Sequence, residues 1–360
     1  MTKIALFFGG KISKHLVMVR NAARKMGEEL DLVSYNNVCF ETETGKISLR
    51  GKDVNDYDVL FFRTTGKHWE EVDLIINSIT TPKASHLGGQ EPIVVDPLVR
   101  YGKPSYACKA WQMLALKKAG IDIPKSVYGS LWYLYEVMAR NDKSGKRVFS
   151  TGEAARQAQG QEKILESEYK FSFPIILKGS GGDRGTRVYK ADNLKELEKL
   201  VRKLRPSETG EGRRYLLQEY IENDGDYRVL VLGEKVLGVM KRSSKNKNEF
   251  RNNYSAGGAV EVADLPDEVK ELAVEAAKVC GLAVAGVDVM AKNLNPSGLR
   301  PAPLDPPKAG RQGASVGMSN NPKDYVILEV NKGPQFKGFM KATGIDVPAE
   351  IVKYLVSLKK

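Results

Sequence analysis

Histidine and cysteine are scarce in this 360-residue chain, at three each. His15, His68 and His86 all fall in the first quarter, which leaves little material for an HExxH zinc site or a Ser-His-Asp triad. Cys39, Cys108 and Cys280 stand far apart with no CxxC spacing, so neither a disulfide framework nor a thiolate metal site is expected. They are read as buried thiols. No apolar run approaches the roughly 18 residues a membrane helix needs, and Met1–Gly10 lacks the basic start, apolar stretch and cleavage site of a secretory signal. A cytoplasmic protein with no membrane partner is expected. What the chain does have is positive charge: 56 Lys and Arg against 44 Asp and Glu, net +12, which favours anionic partners such as nucleotides, nucleic acids or acidic peptides without choosing among them. With 42% hydrophobic residues there is enough apolar surface for a sizeable core.

Strand-like and helix-like runs alternate from the start. Lys3–Phe8 reads as a buried strand, and Ser13 caps a helix with Leu16, Val19, Ala23 and Met26 at three-to-four spacing. Further strands are expected at 31–35, 59–63 and 92–96, a helix at 70–79 and a hairpin at Thr44-Gly45, which makes residues 1–103 a small α/β domain. Ser105 is read as the cap of the next helix. Residues 141–170 are polar and read as a surface insertion. Strands follow at 173–178, 215–220, 226–232, 235–241, 284–291 and 325–330, with helices from Leu194, after Pro266 and at 348–358. The long Pro/Gly/Asn-rich stretch 292–324 reads as a loop. The segments after residue 103 divide into 104–170, 171–221 and 222–360, for an overall α/β (α+β) class.

Three constellations carry chemistry. Lys178 ends an apolar strand and runs into Gly179-Ser180-Gly181-Gly182-Asp183-Arg184-Gly185, where glycines let backbone N–H groups approach an anion and the lysine supplies charge for phosphate. The run matches neither a Walker A loop nor GxGxxG, and a plain flexible turn is the alternative. Asp288, in AGVDVM, and Glu329 with Asn331, in ILEVN, lie on apolar strands. Alternation puts Glu329 and Asn331 on one face, where a carboxylate from a neighbouring strand completes an all-oxygen site suited to Mg²⁺; a structural salt bridge is the competing reading. The stretch 241–253 is rich in cations, with Arg242 at a strand end and Arg251 before Asn252-Asn253. Trp132, Tyr133 and Tyr135 are read as core packing rather than a stacking platform.

These motifs in this order resemble the ATP-grasp superfamily, and most closely the RimK-type amino-acid ligases. The carrying segments are CKAWQMLALKKAGIDIP, FPIILKGSGGDRGTRV, LLQEYIENDGDYRVLVLGEKVLGVMKR, FRNNYSAGGA, VAGVDVM and ILEVNKGPQFKGFMKATGID, spanning about Ser105 to Tyr354. A weaker likeness makes residues 1–103 a pre-ATP-grasp domain. The resemblance implies an ATP-grasp fold, with 104–170 a central region carrying an insertion, 171–221 a small lobe with a glycine-rich flap and 222–360 a large lobe with the metal site. It implies that Lys109 and Lys178 reach the ATP phosphates under a flap containing Gly181 and Gly182. Gln218, Glu219, Tyr220 and Ile221 match the adenine hinge. Asp226, accompanied by Arg228, matches the nucleotide and substrate side; Arg251, Asn252 and Asn253 match the Arg-x-Asn nucleotide motif. Arg242 and Arg251 are the expected catalytic cations. Asp288, Glu329 and Asn331 match the ligands of two Mg²⁺ ions, for which Mn²⁺ can substitute.

The activity implied is an ATP- and Mg²⁺-dependent carboxylate–amine ligase working through an acyl phosphate. Its partners would be an amino acid, glutamate among the candidates, and a peptide, a protein C-terminus or a small carboxylate, in a homo-oligomer that binds no nucleic acid. The competing reading is a non-catalytic ATP- or nucleic-acid-binding protein on the same scaffold, against which the joint presence of Asp288, Glu329 and Asn331 argues. Cys108 stands where the family has Asp, and Lys332-Gly333 follows Asn331 where small residues are usual. The stretches 141–170 and 292–324 have no family counterpart.

Overall fold

The opening KIALFF run forms β1 (Lys3–Phe8), buried from its second residue onward. Ser13 caps α1 (Lys14–Lys25), its Oγ accepting the Leu16 N–H, and the helix buries Leu16, Val19, Ala22 and Ala23. β2 (Glu29–Ser34) then runs parallel to β1. Across the Thr44-Gly45 turn, β3 (Val38–Phe40) and β4 (Ile47–Leu49) pair antiparallel as expected, and β5 (Lys52–Asp53) extends that small sheet. β6 (Val59–Thr64), α2 (Trp69–Thr80) and β7 (Ile93–Val95) complete a parallel sheet of order β2-β1-β6-β7. The structure is a computed structural model, and it describes residues 1–80, 91–101, 108–141, 170–180, 187–212, 214–244, 258–292 and 321–359. Ser105, the expected cap, lies outside these residues. The next helix, α3 (Lys109–Lys118), begins after Cys108, whose side chain makes no capping bond.

Two compact units divide the chain, one formed by Met1–Ile123 with Asn223–Lys360 and the other by Pro124–Glu222. Among the described residues, the second is an antiparallel sheet with two helices. Its strands are β8 (Ser126–Gly129), β9 (Ile175–Gly179), β10 (Val188–Ala191) and β11 (Tyr215–Glu219), in the order β10-β9-β11-β8. Between them in the chain come α4 (Leu131–Asn141) and α5 (Leu194–Glu211). Asn193 caps α5 by accepting the Glu196 N–H at 3.0 Å, and Leu197, Val201 and Leu204 face the core with Ile175 and Leu177. Tyr135 is buried in that core with Trp132 edge-on to it, so these aromatics pack rather than stack a ligand.

The first unit resumes with five antiparallel strands: β12 (Asp226–Leu232), β13 (Lys235–Ser243), β14 (Ala259–Ala263), β15 (Val284–Ala291) and β16 (Tyr325–Lys332), in the order β14-β13-β12-β15-β16. α6 (Asp267–Val279) buries Val269, Ala273, Ala276 and Ala277 and packs on this sheet, where Val229, Val231, Val287 and Val289 are fully buried. α7 (Lys337–Thr343) and α8 (Val347–Ser357) close the chain. Asp346 caps α8 and Pro348 sits in its first turn, as its sequence position predicts. Leu230, Leu232 and Met240 on the sheet's other face share one core with α8 and with β1 and α1. Each such aliphatic side chain taken fully from water contributes about 1.5–3 kcal/mol.

Candidate active site

Strand alternation builds the site on that second sheet face. In β12, residues 226, 228, 230 and 232 point the same way, so Leu230 and Leu232 enter the core while Asp226 and Arg228 continue the row as charges. Register extends the row sideways. Asp226 pairs with Arg242 on β13, Arg228 with Asp288 on β15, Asp288 with Glu329 on β16, and Gly286 with Asn331. Cross-strand partners share a face, so six polar side chains from four strands meet beside an apolar core.

The contacts are short and charged. Arg228 grips Asp288 with two parallel bonds, Nε to Oδ1 and Nη2 to Oδ2, both 2.8 Å. Arg242 bridges two carboxylates: Nε donates to Asp226 Oδ1 at 2.6 Å and Nη2 lies 3.0 Å from Asp288 Oδ2. Asn331 Nδ2 adds a bond to Asp288 Oδ2 at 3.1 Å and another to the Gly286 carbonyl at 3.3 Å. Asp288 thus accepts from four donors, about as many as a carboxylate has acceptor sites. Burial opposes its ionisation, but Arg228 and Arg242 outweigh that and hold its carboxyl well below the usual range. Burial, joined by Asp288, pushes Asp226 upward against the pull of Arg242. Two carboxylates on one face are therefore driven apart in acidity.

Gly286 makes room for this lattice. A Cβ there would stand 3.0 Å from Pro334 Cβ and 3.4 Å from Arg228 Cδ and Nε. A side chain there would crowd Pro334 and press on the Arg228 stem that reaches Asp288. From the other side Lys109, the first residue of α3, reaches Glu329 Oε1 at 2.9 Å, and Gln112 one turn on donates to the Val330 carbonyl at 3.0 Å. α3 thereby lies along β16. Gln112 was invisible to pattern reading because its partner is a backbone carbonyl more than 200 residues away. Arg228, expected only to accompany Asp226, is the side chain that grips Asp288 with two bonds; alternation along DYRV gives its face, but only strand register brings Asp288 opposite it.

In the second unit, Lys178 Nζ meets Gln218 Oε1 at 2.6 Å, and Gln218 Nε2 donates to Ser126 Oγ at 3.0 Å. This chain fixes a cation at the strand end that enters the glycine run. Glu219 is tied into the sheet edge, its Oε1 accepting the Lys125 N–H at 2.8 Å, and Lys190 Nζ sits 4.7 Å over the Tyr220 ring. Ile221 follows in a loop. Gly181, Gly182, Arg251, Asn252 and Asn253 lie outside the described residues. The expected site residues that are described thus fall into two groups: Lys109, Asp226, Arg242, Asp288, Glu329 and Asn331 in the first unit, and Lys178 with Gln218–Ile221 in the second.

Cysteine expectations need correction. Cys280 is buried, and burial pushes its thiol up to about 12, but Cys39 is exposed on the edge of the small sheet and Cys108 is half-buried. β3 is too short and peripheral to cover it.

Residues 136–297 match the RimK-like ATP-grasp domain family. The chain carries a RimK-like ATP-grasp domain. A probable alpha-L-glutamate ligase of Halorhodospira halophila is 32% identical over 189 residues, 52% of this chain and 51% of the relative. One from Methanococcoides burtonii is 33% identical over 184 residues, 51% of this chain and 50% of the relative. The chain thus spans about half the length of the curated relatives it matches. Among solved structures, the ATP-grasp ligase PsnB complexed with minimal precursor superposes with a TM-score of 0.59 at 18% identity, covering 100% of this chain and 99% of that one. The same ligase with a phosphomimetic precursor variant, Mg and ADP gives 0.57 at 19%. The ATP-grasp fold therefore extends over the whole chain, while sequence likeness concentrates on the domain that contains β9–β15.

Proposed function

We propose that the chain is an ATP-dependent carboxylate–amine ligase that forms an amide bond through an acyl phosphate. The observation that carries this reading is the charged face of β12, β13, β15 and β16, where Asp226, Asp288 and Glu329 are balanced by Arg228, Arg242 and Lys109. Such a face has no net charge of its own to repel a polyphosphate, and its cations are already oriented by carboxylates. The names of the matched relatives support a ligase.

A carboxylate is a poor electrophile, and phosphorylation gives it a leaving group. A carboxylate oxygen of the substrate attacks the γ-phosphorus, the bond to the β–γ bridging oxygen breaks, and ADP departs. The amine then attacks the acyl carbon, the C–O bond to phosphate breaks, and the amine sheds a proton. Nothing here needs a protein nucleophile; alignment and charge stabilisation supply the rate. Arg242, which bridges Asp226 and Asp288, would neutralise phosphoryl oxygens, with Arg251 as its expected companion. Lys178, anchored through Gln218, and Lys109 serve the phosphates, and Gln218–Ile221 the adenine.

The donor set fits Mg²⁺. Asp288, Glu329 and Asn331 carry hard oxygens on two paired strands, and a metal there would take the place of the bonds that Arg228, Arg242 and Lys109 now make to the two carboxylates. Among the described residues no three His, Cys, Asp or Glu side chains gather as a metal site, and the expected third donor is the Asn331 amide oxygen. Held there, Mg²⁺, or Mn²⁺ in its stead, would supply positive charge to neutralise the transferring phosphoryl group. Glutamate is the first candidate substrate, joined to a peptide, a protein C-terminus or a small carboxylate.

The experiment is incubation of the purified chain with ATP, Mg²⁺ and pools of amino acids, with and without peptide acceptors, following phosphate release and product mass. Release that depends on one amino acid, with a product heavier by that residue, supports the ligase and names a substrate. Nucleotide binding with no turnover under any pool overturns it.

A further inference from the structure

In the second unit, β8, β9 and β11 each carry a polar side chain on the sheet face opposite the core of Ile175, Leu177 and Leu217. Gln218 on β11 stands across from Ser126 on β8, and Lys178 on β9 lies one diagonal step away, across from Leu216. The three form one hydrogen-bonded line. Lys178 Nζ donates to Gln218 Oε1 at 2.6 Å, Gln218 Nε2 donates to Ser126 Oγ at 3.0 Å, and Ser126 Oγ donates to the Pro124 carbonyl at 2.7 Å. Gln218 is only 2% exposed, so bulk water does not replace a partner that its amide loses.

The two ends of this line fix the direction of every bond in it. A backbone carbonyl only accepts, so the single Ser126 hydroxyl proton goes to Pro124 and Oγ is left to accept. An ammonium only donates, so the Gln218 oxygen faces Lys178 and its NH2 group faces Ser126. Reversing the amide would set two donors against each other at Lys178. The link is also uncharged: Glu219, the next residue, is engaged at the sheet edge, where its Oε1 accepts the Lys125 N–H at 2.8 Å. An amide dipole steadies an ammonium without cancelling its charge, whereas a carboxylate in the same place would make an ion pair that an incoming phosphate has to displace.

We propose that Ser126 is a positioning residue for Lys178, acting through Gln218: it engages the buried NH2 end of the amide and so keeps the oxygen end, and the ammonium upon it, in one place. The service of that ammonium to an ATP phosphate rests on the ligase reading; the relay stands on its own contacts. Ser126→Ala leaves the buried amide nitrogen without its acceptor, which frees the Gln218 side chain to turn and loosens Lys178. Ser126→Thr restores the hydroxyl on a residue that strands accept readily. Gln218→Met removes both ends of the link at similar length, so Ser126→Ala in that background has nothing left to act through.

The experiment measures trace acetylation rates of individual lysines by peptide mass analysis in the full chain, for wild type, the three single variants and the Ser126→Ala/Gln218→Met double variant. Lys178 is expected to react about threefold faster or more in Ser126→Ala and at the wild-type rate in Ser126→Thr. Lys190 on β10, paired with Asp192 at 2.8 Å, keeps its rate throughout. Adding Ser126→Ala to Gln218→Met is expected to change the Lys178 rate by less than about twofold. An unchanged Lys178 rate in Ser126→Ala, an equal rise at Lys190, no recovery with threonine, or a full second increment in the double variant overturns the proposal. In the same samples, affinity for a non-hydrolysable ATP analogue with Mg²⁺ is expected to fall about tenfold in Ser126→Ala and to recover in Ser126→Thr. A wild-type chain that binds no nucleotide would instead remove the ligase reading and leave the acetylation rates to decide on Ser126.

Discussion

At the scale of single residues, the candidate site is defined by who neutralises whom. Arg228 and Arg242 saturate Asp288, and Lys109 meets Glu329, so each carboxylate is paired with a side-chain cation. Removing a carboxylate oxygen's charge at either position should stop the chemistry without unfolding the sheet. Glu329→Gln and Asp288→Asn are each expected to lower turnover by at least about a hundredfold at unchanged circular dichroism; full activity in either variant would remove the metal assignment. A second residue, His15, gives the fold an acid sensitivity. Burial, then Arg63 and Lys337, bring its imidazole down from 6.5 to about 4. A depressed folded-state value means its contribution is present above the unfolded value and is lost as pH falls from about 6.5 towards 4. Urea midpoints of wild type and His15→Gln measured across that window should converge as pH drops. Parallel curves would show that His15 does not titrate with folding.

Elements show how much could be read ahead of the structure. β1, α1, β12, β15 and α8 were legible because each carries a strong period and a local start or stop: KIALFF, Ser13, the DYRV alternation, AGVDVM, Pro348. β8, β10, β14 and α4 were not, being short or carried by residues whose fate only packing decides. Leu131, Leu134 and Tyr135 become a helix face because β9 and α5 cover them. Of the candidate site, Asp288, Glu329, Asn331 and Lys178 stood out from type and spacing. Gln112, Gly286 and the central place of Arg228 depend on register between strands far apart in the chain, which no local pattern encodes. Register also sets the cost of losing Asp226. Breaking a buried ion pair typically costs about 3–5 kcal/mol. Because Arg242 keeps Asp288 as a second partner, Asp226→Asn should cost less than that in urea unfolding, yet slow turnover by loosening the arginine. A loss at or above the full range would mean that Asp226, not Asp288, is the main anchor.

For the whole molecule, the discontinuous first unit is the least legible feature: residues 1–123 share a core with 223–360, and the joining contacts at Asp96 and Arg63 connect residues nearly 200 to 270 positions apart. Composition alone could not pair them. Cys280 lies in that unit, fully buried at the end of α6, and offers a reporter of its integrity. A thiol reagent at pH 8 should modify exposed Cys39 quickly and Cys280 only at the rate of unfolding; rapid labelling of Cys280 in the native protein would show that the unit opens locally. Among the described residues no helix is long and apolar enough to cross a membrane.

One sheet face that turns from Leu232 and Leu230 to Arg228 and Asp226 has a consequence for assembly as well as for chemistry. A slip of β12 by one position would drive the charges of Asp226 and Arg228 into the valine layer under α6 and turn Val229 and Val231 outward. The alternation acts as a parity check: a mispaired sheet fails at once and at every position, so a chain that has folded at all has these charges on the correct side.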